Sequence, residues 1–126
     1  MNDEINNKLK QISTENYIWL IYLGIIFFSW IANNYEKRYF IYKDIELRKK
    51  YQRLMIIIFS ILIIIYLYFF KSSIEDIKNL KPYDSEKKKR LVYLSFLGSL
   101  FIVLSGIIFL YIAINDEELE IEIAFN

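Results

Sequence analysis

The sequence predicts an all-α integral membrane protein. It reads as three transmembrane helices, joined by helical, charged connectors and followed by a short acidic C-terminal tail patterned as a strand. Three observations carry that prediction. Apolar residues make up 56% of the 126 and charged residues still 25%, so the two kinds are segregated rather than mixed. Three runs hold no charge: "YIWLIYLGIIFFSWIA" from Tyr17 to Ala32, "LMIIIFSILIIIYLYFF" from Leu54 to Phe70, and "LVYLSFLGSLFIVLSGIIFLYIAI" from Leu91 to Ile114. One proline and three glycines leave few breakers, which favours helices. The length suits one membrane domain over 1–126 with spans at 17–33, 54–70 and 91–114.

About 20 residues cross a ~30 Å hydrocarbon core. The third run is long enough outright. The first two are short, but Trp19, Trp30, Tyr35 and the aromatic end from Tyr66 to Phe70 suit the interfacial belts. A water-soluble three-helix bundle is the bland alternative, and it fails because each run is apolar on every face, whereas a soluble helix needs a wet one. A cleaved leader fails too. Asp3, Glu4 and Glu15 outnumber Lys8 and Lys10 ahead of the first run, and no A-x-A-like site follows Ala32.

In the first span, Tyr22, Ser29 and Asn33 lie within about 40° of one another at ~100° per residue. Glu15 and Glu36 fall near the same line. Such a line either hydrogen-bonds to a neighbouring helix or wets a narrow pore in a ring of subunits. The connector 34–53 holds Asp44 with Arg48 and Glu46 with Lys50, acid-first pairs at i,i+4. No glycine or proline interrupts it, so it is expected to extend a span out of the membrane. The second span is a β-branched, mostly featureless wall with only Ser60 polar, and is expected to face lipid.

In "SSIEDIKNL", Ser73 stands three residues before Asp76 as a loose capping box. Ile74, Ile77 and Leu80 would then line a short helix in the interface, ended by Pro82. Asp84 or Ser85 caps the next helix, expected over about 85–114. On that helix Ser95, Ser99, Gly106 and Ala113 share a sector of about 40°, widened by Gly98 and Ser105. Small residues at this spacing let membrane helices approach closely, within one chain or between copies.

The tail, 115–126, places Leu119, Ile121, Ile123 and Phe125 on one face of an extended strand and Glu118, Glu120 and Glu122 on the other. A lone strand needs a partner edge, so these four apolar residues are its candidate interaction face. A solvated tail is the plain alternative. Asp116, Glu117 and Glu118 as a cation site is the weaker one, because adjacent acids do not define ligand geometry.

Lysine plus arginine number two in 1–33, seven in 34–53, seven in 71–90 and none after 114. An N-inside topology therefore has nine inside against seven outside. The third span has the cleanest flanks, which favours a cytoplasmic N-terminus. The Ile, Lys and Asn bias suggests an AT-rich bacterial genome, hence a bacterial inner membrane.

Net charge is +1, which gives no case for nucleic acid. There is no cysteine or histidine, which removes disulfides, thiol chemistry and the commonest base and metal ligand. No ionisable side chain lies inside a span, and there is no P-loop, G-x-G-x-x-G or G-x-S-x-G. No catalytic, cofactor or metal residue is assigned, and neither enzyme activity nor a small-molecule substrate is expected.

Three spans, small size and charged ends resemble the holins in general architecture. No motif matches, and the basic C-terminal tail common in holins is replaced by an acidic one. The sequence reads as a small multi-pass protein that anchors, scaffolds or regulates a larger membrane assembly. Its partners would be lipid and either itself or another membrane protein. A homo-oligomeric pore, holin-like or an ion channel, is the alternative.

Overall fold

A computed structural model describes residues 2–121. It contains three helices, α1 (Asp3–Tyr42), α2 (Ile45–Lys78) and α3 (Glu86–Asn115). Each is long and apolar enough to cross a membrane. There is no strand among the described residues.

The helix ends follow from local chemistry. Asn2 caps α1 by accepting the Ile5 N–H at 2.9 Å, and Asp3 and Glu4 in the first turn suit the positive end of its dipole. Termination occurs at Lys43, whose left-handed φ of 55° lets its N–H donate to the Tyr39 carbonyl at 2.7 Å. That conformation costs a non-glycine residue roughly 1–2 kcal/mol. The Lys43 ammonium lies 5.4 Å from the Tyr39 ring centroid and 5.0 Å from that of Phe40, which offsets part of it. Asp44 then caps α2 by accepting the Glu46 N–H at 2.9 Å.

The connector 34–53 therefore extends both neighbouring helices, α1 as far as Tyr42 and α2 from Ile45, with a tight turn at Lys43 and Asp44 between them. Asp44 is occupied with the backbone instead of Arg48, and Glu46 pairs with Lys49 at 3.8 Å instead of Lys50. The short interfacial helix expected after Ser73 does not exist as a separate element either. The Ser73 hydroxyl donates to the Phe70 carbonyl at 2.7 Å, and α2 runs unbroken to Lys78. In the following turn the Asp84 carboxylate accepts the Lys81 N–H at 2.7 Å and the Lys88 ammonium at 3.3 Å. Those bonds, the backbone one first, hold it below the usual carboxylate range. Ser85 caps α3 through the Lys88 N–H at 3.1 Å.

The helices stand antiparallel in a row, with α2 in the middle. It packs against both neighbours, while no Cα of α1 comes within 8 Å of α3. This corrects the expectation that the second span faces lipid. Leu47, Tyr51, Met55, Ile58, Phe59, Leu62 and Ile65 are all buried, and only a strip containing Ile57, Ile64 and Leu67 stays exposed.

On α1 the buried and half-buried positions include Gln11, Glu15, Ile18, Tyr22, Ile25, Ser29, Ala32, Glu36 and Tyr39. The steps alternate four and three residues, a heptad seam, which keeps one stripe of a long helix on its neighbour. At its outer end the Gln11 amide donates to the Ser72 hydroxyl at 3.1 Å.

Candidate functional site

Because α1 and α3 lean on α2 without meeting, a groove runs between them with α2 as its floor. One stretch of about 660 Å³ is walled by Trp19, Tyr22, Ser29, Trp30 and Asn33 of α1 and floored by Leu62 and Tyr66. An adjoining stretch of about 470 Å³ adds Glu15, Phe69, Ser99 and Ile102. The polar line of the first span is thus brought together on one wall of a groove. Among the described residues no hydrogen-bond partner is found for the side chains of Ser29 and Asn33.

The small-residue stripe of α3 divides. Gly106 is buried against α2: a Cβ there would meet Ile63 Cγ1 at 3.1 Å and Tyr66 Cδ2 at 3.1 Å. Ala113 is buried in the same contact. Gly98 has nothing within 4 Å of such a Cβ, and Ser95 and Ser105 are exposed. Ser99 reaches the groove, with its hydroxyl donating to the Ser95 carbonyl at 2.8 Å. Two members close the α2–α3 contact and the rest are left outside it.

A polar cluster that the sequence reading did not find sits at the end of the molecule holding the α1–α2 hairpin. Tyr51, just before the second apolar run, is only 4% exposed. Its hydroxyl donates to the Glu36 carboxylate, and Asp116 lies close by. Burial first, then these two acids, push the Tyr51 phenol far above the ordinary tyrosine value. Beside it the Gln52 amide donates to the Ala113 carbonyl at 3.2 Å and the Ile114 carbonyl at 2.8 Å, satisfying the open end of α3. Residues 15 and 65 positions away from Tyr51 meet here only because the hairpin and the third helix bring them together.

The same cluster organises the tail. The Asp116 carboxylate accepts the Glu120 N–H at 3.1 Å and the Ile121 N–H at 2.8 Å. The chain therefore turns, with Leu119 left-handed at φ 55° and buried to 8% exposure. This corrects the strand reading as far as Ile121. Leu119 points into the protein and Ile121 is 54% exposed, so the two no longer share an extended face. Ile123 and Phe125 lie outside the described residues. Among the described residues Asp116, Glu117 and Glu118 form no group that could hold a metal ion.

The raised Tyr51 value has a consequence for stability. Above about pH 10 an unfolded chain releases this proton while the folded chain keeps it. The folded state then binds more protons than the unfolded one, so stability falls as pH rises, by about 1.4 kcal/mol per unit for one such group. Thermal midpoints in detergent over roughly pH 9 to 11 should decline, and Tyr51→Phe should flatten the decline. An unchanged slope in Tyr51→Phe would contradict the cluster.

Chemically, the groove offers hydroxyl, phenol and amide groups along an otherwise apolar wall. Between membrane helices, polar side chains of these kinds bond across an interface. No protein family, curated protein or solved structure matches the chain.

Proposed function

We propose that the protein is a multi-pass membrane subunit that anchors, scaffolds or regulates a larger assembly. The groove between α1 and α3 takes a transmembrane helix of another membrane protein. The observation that carries this reading is the wall of the groove. Tyr22, Ser29 and Asn33 face a trough that α2 leaves unfilled, within a segment apolar enough to cross a membrane. A polar group facing lipid is poorly satisfied, and a neighbouring helix with its own polar groups relieves that.

In this reading the chain sits in the cell membrane with its N-terminus and the 79–85 turn on the cytoplasmic side. The nine lysines and arginines of 1–33 and 71–90 gather there against seven on the other side. The exposed acids of the tail flank the opposite end of the groove.

The test is native mass spectrometry of the protein extracted with its lipids into nanodiscs. A second, different chain should accompany it. Ser29→Leu with Asn33→Leu should weaken that association roughly five- to tenfold, since interhelical hydrogen bonds average about 0.6 kcal/mol each. A wild-type protein that carries no other chain would end the proposal. Should it instead form rings of one size that pass ions in liposomes, the same polar wall would line a homo-oligomeric pore.

A further inference from the structure

We propose that the outer side of α1 joins copies of this chain to one another, side by side and parallel. The contact is a second heptad line, Ile5, Leu9, Ile12 and Asn16, which continues into the membrane towards Leu23.

These residues again step by four and three along α1, about 100° round the helix from the seam that meets α2, and Ile5 reaches the rim of the cleft towards α2. Ile5 is 47% exposed, Leu9 50% and Ile12 43%. They precede the apolar run that begins at Tyr17, and at ~1.5 Å per residue they stand about 8 to 18 Å beyond it. Asn6, Asn7, Lys8, Lys10 and Ser13 surround them, so this is an apolar line in a polar, extramembranous segment. A protein rarely leaves such a line bare in water.

The line cannot be covered by lying down on the bilayer. The helix is unbroken from Asp3 to Tyr42, and the Gln11–Ser72 hydrogen bond ties its outer part to the end of α2. The extension is held upright, with its inner side facing Lys71, Ser72 and Glu75 across a polar cleft.

Three features make a second copy the fitting occupant. Spans in one bilayer hold every copy at the same depth, so the line of one chain meets the same line of the next in register. Asn16 falls at a seam position of the a type, where asparagine bonds to its counterpart across a parallel coiled coil and fixes that register. The flanks carry no like-charge clash. Lys8 at a g position faces Ser13 at the e position of the second copy, and Glu15 faces Leu20. Two heptads alone would be marginal, and the continuation to Leu23, 63% exposed, lengthens the seam.

This inference does not rest on the groove reading, because its extramembranous part lies beyond the groove. The chain has no cysteine, so each engineered thiol is the only one present. Leu9→Cys and Ile12→Cys, oxidised in membranes, should form disulfide-linked pairs at least ten times more than Lys10→Cys and Thr14→Cys, which line the cleft towards α2. By native mass in nanodiscs, the wild type should be a multiple of the chain. Leu9→Glu with Ile12→Glu should reduce it to one copy, while Ser29→Leu with Asn33→Leu should leave it intact. Equal cross-linking at all four positions, or a wild type of single-chain mass, would overturn the proposal. If a different chain still co-purifies then, the groove reading survives alone.

Discussion

Gly106→Leu is expected to pry α3 away from α2 and cost about 3 kcal/mol, at the upper end of what overpacking a tight contact usually costs. A Cβ at this position already lies 3.1 Å from Ile63 Cγ1 and 3.1 and 3.3 Å from two carbons of the Tyr66 ring. The remaining leucine carbons have nowhere to go unless the helices separate. Ile63 and the Tyr66 ring must both shift to make room. Gly98→Leu, two turns away, meets nothing within 4 Å of its Cβ and should be neutral or gain up to about 1 kcal/mol in helix propensity. The comparison is made by unfolding both variants in mixed micelles. Equal losses would mean that α3 does not pack through Gly106. It also bears on the small-residue stripe, since a seam between copies built on that stripe would put Gly98 at risk as well.

Phe59→Ala should be the next most damaging change. Phe59 is 1% exposed, at the centre of α2, with its ring 5.8 Å from that of Phe109 on α3. In a water-soluble core this truncation costs about 3–5 kcal/mol, part of it the transfer of the side chain out of water. In a bilayer that part shrinks, because the separated helices face lipid as apolar as the protein interior. What remains is lost dispersion around an unfilled volume, and about 2 kcal/mol is the expected loss. Ile64→Ala, at a side chain 68% exposed, should be near neutral in the same assay. A larger effect at Ile64 than at Phe59 would return α2 to the lipid and undo the arrangement.

Those two expectations mark where the sequence was readable. The three apolar runs, the near absence of breakers and the serine at 85 lead directly to three long helices, and the third begins at Glu86 where its cap places it. The position of α2 was not legible for a physical reason. In water, a helix announces its buried face by contrast with polar residues on the other side. In hydrocarbon, Ile58 against protein and Ile57 against lipid are the same residue type, so composition cannot say which helix is central. The same blindness hid half of the α1 seam. Tyr22 and Ser29 stood out as polar, while Ile18, Ile25 and Ala32, which share their period, looked like ordinary lipid-facing positions.

Polar features outside the apolar runs failed differently. The alternation after Asp116 satisfies the arithmetic of a strand, but Asp116 itself supplies a carboxylate to the Glu120 and Ile121 N–H groups and bends the chain before any edge can form. Asp44 was visible as half of an ion pair, yet a carboxylate next to an unsatisfied helix start finds the backbone first. Tyr51, Glu36 and Asp116 carried one available signal: each lies just outside an apolar run, at the end of the molecule an up-down-up topology would share. Only with that topology in hand do they become neighbours.

The row arrangement also bears on how the protein is made. Of the three helices a ribosome delivers α1 first, and α1 has no mate within the chain until the hairpin at Lys43 and Asp44 brings α2 alongside. The helix that arrives last, α3, finds a surface already braced from the other side and never needs α1 to be in place. Biogenesis therefore reduces to two independent pairings that share one member. Damage confined to either outer helix spares the other pairing, whereas damage to the middle helix leaves two long apolar helices with no contact between them.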